Sequence, residues 1–265
     1  MKRFVLSLMP DPEGRIRLYG EDYHYLVRVR RLKAGMCFDA VLPGGTETII
    51  RVVSTTGNTL VGECLEGARK PSSPLPPIAL FQGIPKGTKM DLIVRQAAEA
   101  AVTLVAPFES EYSTVKLGGN STPTRRVGEE KLKRWRRIVK EARQQSGSAV
   151  ETLVREPCGF SALLEFWESL MKKYSRPLGI LLHQTPLEKG TFHDYLYSVP
   201  DFVVLAAGPE GGFSAREVSL FLAANFKPVL IGDTVLRAET AALYGIAAAR
   251  TILLESEAWT LKLKK

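Results

Sequence analysis

The chain has 265 residues, 45% of them hydrophobic and 24% charged, with a formal net charge of +8. This composition excludes wholesale disorder, and no apolar run reaches the roughly 18 residues needed to cross a bilayer, so an ordinary soluble fold with no membrane partner is expected. Its scattered Cys37, Cys64, Cys158, His24, His183 and His193 match neither a disulfide framework nor a zinc site, so no metal is expected.

The short apolar stretch at the N-terminus runs into Asp11, Pro12 and Glu13, which argues against a signal peptide. Strands are predicted over Cys37–Leu42, Glu47–Val53 and Thr59–Leu65, separated by the turn formers Pro43-Gly44-Gly45 and Thr56-Gly57-Asn58, and together they predict a small β-barrel. The segment 68–77 carries Pro71, Pro74, Pro76 and Pro77 and reads as an extended connector, so the domains are placed at 1–70 and 71–265. From Ile78 onward, strands (Ile78–Gln82, Val102–Ala106, Leu178–His183, Phe202–Ala206, Pro228–Ile231) alternate with helices (Lys89–Ala100, Glu129–Gln145, Ser161–Lys173, Ala215–Ala223, Glu239–Leu253). That alternation predicts an α/β domain with a parallel sheet. The predicted helix at 129–145 lies in a basic stretch, in which Arg125, Arg126, Lys131, Lys133, Arg134, Arg136, Arg137, Lys140 and Arg143 face only Glu129, Glu130 and Glu141. Charge this one-sided favours a polyanionic partner over a merely solvated surface.

Two loops carry the candidate chemistry. Gly208-Pro209-Glu210-Gly211-Gly212-Phe213 leaves an apolar strand and enters a helix through Ser214-Ala215-Arg216-Glu217, which has the form of a capping box. Its glycines permit close backbone approach to a ligand at the C-terminal strand edge, or simply a tight turn. The second loop leaves its strand through Gly232 and brings Arg237 and Glu239 to the same edge. These two could form an ion pair at the helix start, although a helix N-terminus disfavours an arginine unless an anion meets it. Walker, dinucleotide and nucleophile-elbow patterns are absent. The residues alone define a basic α/β ligand binder with a β-barrel appendage.

Gly208–Ser214 and Leu236–Ala241, together with Leu181-Leu182-His183, Lys86–Val94, Gln144-Gln145-Ser146-Gly147, and His24 with Val29-Arg30-Arg31, resemble motifs of the RsmE family of the SPOUT superfamily. The resemblance implies an S-adenosylmethionine-dependent methyltransferase acting on N3 of a uridine in 16S rRNA or the small ribosomal subunit. It further implies a PUA-like RNA-binding β-barrel joined to a SPOUT-type parallel sheet with a C-terminal trefoil knot, in a cytoplasmic homodimer. The cofactor contacts it implies are Leu182, His183, Gly208, Pro209, Gly211, Gly212, Ile231, Gly232, Val235, Leu236 and Arg237. Arg237 would stabilise charge developing on the uracil oxygens, while Glu210 would either accept the imide proton or hold the loops. His24, Arg28, Arg30, Arg31, Lys86, Lys89 and Arg143 are the implied RNA contacts, with Arg143 alternatively a plain surface charge. The chain departs from the family pattern at Ser148, where arginine is usual, at Gln96 and Ala98, which replace lysine and threonine, and at Arg30, which replaces leucine. Two alternatives stay open: a SPOUT enzyme acting on another RNA or position, and a non-catalytic ribosome-assembly factor.

Overall fold

The computed structural model describes residues 3–65, 75–113, 122–187, 189–198 and 200–256, with side chains of 122–127 excluded. The chain divides into two compact units, residues 1–72 with 143–151, and residues 73–142 with 152–265. Most of the proline-rich connector, and the side chains of Arg125 and Arg126, lie outside the described residues.

The first unit is built on β1 (Phe4–Val5), β2 (Arg15–Tyr19), β3 (Cys37–Val41), β4 (Glu47–Thr56) and β5 (Thr59–Cys64), in the sheet order β1-β3-β4-β5-β2. The β4–β5 connection has positive φ at both Gly57 and Asn58, the backbone that a two-residue hairpin turn requires. Strands β1 and β2 escaped the sequence reading. β1 is only two residues long, and β2 buries only Ile16 and Leu18 between exposed residues, too short a signal for periodicity. After β2 comes α1 (Gly20–Tyr23), which continues as a π-helical turn, His24–Val29, burying Leu26 while His24 and Arg28 stay exposed.

Residues 143–151 also belong to this unit although they follow the connector in sequence. The Val5 amide donates to Gln144 Oε1 at 3.0 Å, and Gly147 has φ +70°, with no comfortable room for a Cβ, which would sit 3.3 Å from Arg3 N and O. The Gln-Gln-Ser-Gly stretch is therefore built against the start of the chain.

The second unit holds a parallel sheet of β6 (Ile78–Gly83), β7 (Leu104–Glu109), β8 (Leu153–Val154), β9 (Cys158–Gly159), β10 (Pro177–His183), β11 (Phe202–Ala207) and β12 (Lys227–Leu230). Its order is β12-β10-β11-β6-β7-β8, with β9 also paired to β7. The chain lays β10 apart from β6 and then inserts β11 between them. Val203, Leu205 and Ala207 of β11 join one core with α2 (Lys89–Glu99), α3 (Thr122–Ser146) and α7 (Ala238–Ser256). The alternate residues Phe202, Val204 and Ala206 join the other core, with α4 (Phe160–Lys173) and α6 (Ala215–Ala223). A short α5 (Phe192–Leu196) contributes Leu196 to the first of these cores. Burial on both faces explains why β6 and β11 read as continuous apolar runs instead of alternating ones. Helix α3 begins earlier than predicted, with Pro123 in its first turn, where no amide donor is required.

On the α4 side, Trp167 is fully buried, its Nε1 donates to the Ala224 carbonyl at 2.9 Å, and its ring lies 4.9 Å from that of Phe226. Trp167→Ala is expected to cost about 3–5 kcal/mol in urea unfolding. Trp167→Phe, which keeps most of the ring contact and loses the hydrogen bond, should cost roughly 1–3 kcal/mol; equal losses would mean the hydrogen bond, not packing, dominates.

Candidate functional site

Strands β12, β10 and β11 are parallel neighbours, so the loops leaving their C-terminal ends emerge along one edge of the sheet. They enclose a cleft that opens to solvent. From the expected set, Leu182, His183, Gly208, Pro209, Gly212, Ile231, Val235 and Leu236 line it, as does Glu210. Gln184, Phe213, Leu230, Thr234, Ala238 and Ala241 line it too; Phe213, Ala238 and Ala241 fall within the two quoted motifs, but none of the six was among the expected contacts.

Three expected residues do not line the cleft. A Cβ on Gly211 would lie 2.9 Å from Tyr112 Cβ, so this glycine serves a close approach to Tyr112. Gly232 has φ +86° with open space around it, which makes it a turn residue. Arg237 is exposed between Leu236 and Ala238, its carbonyl accepting from the Ala241 amide at 2.8 Å as α7 begins. Among the described residues no ion pair joins Arg237 to Glu239, so that alternative is not what the loop uses.

The glycine loop is held from several sides. Within it, the Gly212 amide donates to the Pro209 carbonyl at 2.9 Å, and a Cβ on Gly208 would press to 3.1 Å on Gly212. Beneath it lies Gln82, which the sequence reading missed because a single glutamine at a strand end carries no pattern. Gln82 is fully buried, and its Nε2 donates to the carbonyls of Gly83 (2.9 Å), Gly208 (3.2 Å) and, more weakly, Ala207 (3.4 Å). Three acceptors on one side fix the amide's orientation, since the reversed group would set oxygen against oxygen. Next to it, Gly83 has no room for a side chain, since a Cβ would reach 2.6 Å from Pro209 Cδ.

At the loop's exit the expected capping box is formed, with Ser214 Oγ accepting from the Glu217 amide at 3.1 Å and Glu217 Oε2 accepting from the Ser214 amide at 3.0 Å. Glu217 is buried and also accepts from Ser110 Oγ at 2.9 Å and the Glu111 amide at 3.0 Å, so one carboxylate ties the loop to the end of β7. Phe213 stacks on Phe108 with ring centroids 6.3 Å apart.

Glu210 accepts from the Lys86 amide at 3.1 Å and from Lys89 Nζ, across to the start of α2. Burial pushes its carboxyl up, but the Lys89 hydrogen bond, the backbone donors and the Lys89 charge outweigh this and hold it below the ordinary carboxylate range. Lys86 and Lys89 thus brace the loop. In the first unit His24, Arg28 and Arg31 are exposed and Arg30 is half-buried. Arg143 is half-buried as well, which corrects its reading as a plain surface charge. Burial lowers the proton affinity of its guanidinium, the Glu151 charge opposes that effect, and its Nε is buried without a hydrogen-bond partner. Among the described residues no group of three or more His, Cys, Asp or Glu could hold a metal ion, and no helix is long and apolar enough to cross a membrane.

Comparison with known proteins is consistent along most of the chain. A family model described as an RNA methyltransferase domain matches residues 71–250. The protein named ribosomal RNA small subunit methyltransferase E in Synechocystis sp. is 31% identical over 254 residues, 95% of this chain and 78% of the relative. Its namesake in Aquifex aeolicus is 32% identical over 225 residues, 84% of this chain and 87% of the relative. A crystal structure of the protein of that name from Neisseria gonorrhoeae, bound to S-adenosyl methionine, superposes with a TM-score of 0.72 at 26% identity over 95% of this chain and 98% of the other.

Because the folded state lowers the Glu210 proton affinity, its ionised form stabilises the fold above the unfolded carboxylate pKa of about 4.3, and that stabilisation is lost as pH falls through the lower folded value. The stability difference between the protein and Glu210→Gln should therefore be constant from about pH 6 to 8 and shrink on acidification below about pH 4.5. A difference that grows on acidification, in denaturant melts across pH, would reverse the assignment.

Proposed function

The chain belongs to the ribosomal RNA small subunit methyltransferase E family, and from this we propose that it transfers the methyl group of S-adenosylmethionine to N3 of a uridine in the small-subunit (16S) rRNA. The observation that carries the reading is the cleft where three neighbouring strand ends meet. Leu182, Ile231 and Leu236 give it apolar walls. Gly208 and Gly83 leave no room for a side chain, so the glycine loop packs closely on itself and on the end of β6. Apolar walls at the strand ends suit a flat purine nucleoside.

When bound there, S-adenosylmethionine supplies a methyl group activated by its sulfonium. The protein's own task is to align a uridine and to manage charge, and most of the acceleration comes from positioning. Arg237, exposed beside cleft-lining Leu236, stabilises negative charge on the uracil carbonyl oxygens as the imide proton leaves. Glu210 is a poor acceptor for that proton, because a carboxylate held below its ordinary range is a weaker base. Its bonds to Lys86 and Lys89 support the loop-holding role instead.

The finer architecture belongs to the same proposal. The five-stranded first unit is read as a PUA-like barrel offering His24, Arg28, Arg30 and Arg31 to RNA, and the domains as 1–70 and 71–265. Insertion of β11 between β6 and β10, followed by edge strand β12 and α7, supports reading the C-terminal part as a trefoil knot. The protein is read as cytoplasmic and as a homodimer, and light scattering at working concentration tests the dimer.

Incubation with small ribosomal subunits lacking native methylation and labelled S-adenosylmethionine, followed by nucleoside analysis, should yield labelled 3-methyluridine. A different methylated nucleoside would redirect the substrate, and absence of both cofactor binding and transfer would sink the enzyme reading. Arg237→Ala should lower kcat by about 100-fold or more while leaving the cofactor Kd within about threefold; normal turnover by that variant would remove Arg237 from the mechanism.

A further inference from the structure

The basic segment is organised more tightly than its composition suggested. On α3, Lys133, Arg136, Arg137 and Lys140 are all exposed, at the spacing i, i+3, i+4, i+7 that places side chains on one helix face. The opposite face, Leu132, Trp135, Ile138, Val139 and Ala142, is buried in the core. The four cations follow one another over about 10 Å of helix axis, at about 1.5 Å rise per residue. Solubility alone does not call for this arrangement, because like charges at these spacings repel one another. Glu129 lies a turn before the stripe, and Glu130 and Glu141 lie to its flank. Arg137 reaches Glu141 only at 3.7 Å, with both side chains largely exposed.

The stripe is also fixed relative to the cleft, within the same unit. Arg134 pairs with Asp91 at 2.6 Å in the first turn of α2. Lys89 of that same turn, with the Lys86 amide before it, binds Glu210 of the glycine loop. A short chain of charged contacts thus runs from the cleft loop through the start of α2 to the cationic face of α3.

We propose that this face of α3 is a track for the phosphate backbone of the RNA, extending the substrate surface beyond the cleft; the proposal rests on the rRNA methyltransferase reading. Exposed ammonium and guanidinium groups in a row engage phosphates by charge, so the track positions RNA without reading its sequence. It holds RNA while the cleft side selects the base.

Arg136→Gln/Lys140→Gln removes two cations from the track, and Lys172→Gln/Lys173→Gln removes two from the end of α4, which packs on the other face of the sheet. Both are compared with the unmodified protein for binding to protein-free small-subunit rRNA across a salt series, for binding and methylation of small subunits, for S-adenosylmethionine binding and for Tm. The track variant should bind the RNA about 5- to 20-fold more weakly near 0.1 M salt, with a log–log salt slope shallower by about 1–2. Cofactor binding and Tm should hold, and the α4 variant should match the unmodified protein. An unchanged slope, or an equal loss in the α4 variant, overturns the track. So does a loss confined to whole subunits with free rRNA bound normally, which would assign the face to a ribosomal protein. Methyl transfer with an unchanged slope sinks the track alone; the expected RNA binding without transfer by any of the proteins sinks the enzyme reading alone.

Discussion

β11 has β6 on one side and β10 on the other, with helices covering both faces, so every backbone group and side chain along it is committed. The cleft depends on that commitment. A slip of one residue would exchange Val203, Leu205 and Ala207 with Phe202, Val204 and Ala206 between two differently filled cores. The glycine loop therefore begins at a fixed height, between the exits of β6 and β10, and the loop after β12 closes the cleft from beyond β10.

A loop so rich in glycine would wander if only its ends were fixed, because glycine loses the most conformational freedom on ordering. Polar groups supply the missing restraint. Gln82 holds it from below through carbonyls, Glu217 holds its exit through amides and a serine hydroxyl, and Glu210 reaches across to α2. Two of these anchors, Gln82 and Glu217, are fully buried, where hydrogen bonds rigidify; Gln82 makes its bonds through Nε2, while its Oε1 is buried without a partner. Their cumulative effect is a preformed cleft, so little of the binding energy of a ligand is lost in ordering the loop.

The charges of the second unit divide the work. Lys89 and Asp91, at the start of α2, are occupied by the protein itself, whereas the face of α3 presents its cations to solvent. Exposed cations contribute little to stability and much to encounter with a polyanion, so the two groups are suited to different tasks.

Local signals were legible in the sequence: the apolar runs of β6, β10 and β11, the capping box at Ser214–Glu217, the hairpin turn at Gly57-Asn58, and the two loops that line the cleft. Each is written within a few consecutive residues, through periodicity, backbone preference or a short-range hydrogen bond, and the family motifs added an expectation of what those loops bind. Strand order was not legible, because the pairing of β11 with β6 joins residues more than a hundred positions apart and no local pattern encodes it. For the same reason the sequence could not disclose the tie from Gln82 to Gly208, the return of residues 143–151 to the first unit, or the half-burial of Arg143. Burial and long-range hydrogen bonding are properties of what the folded chain packs against each residue, and only the tertiary structure decides that.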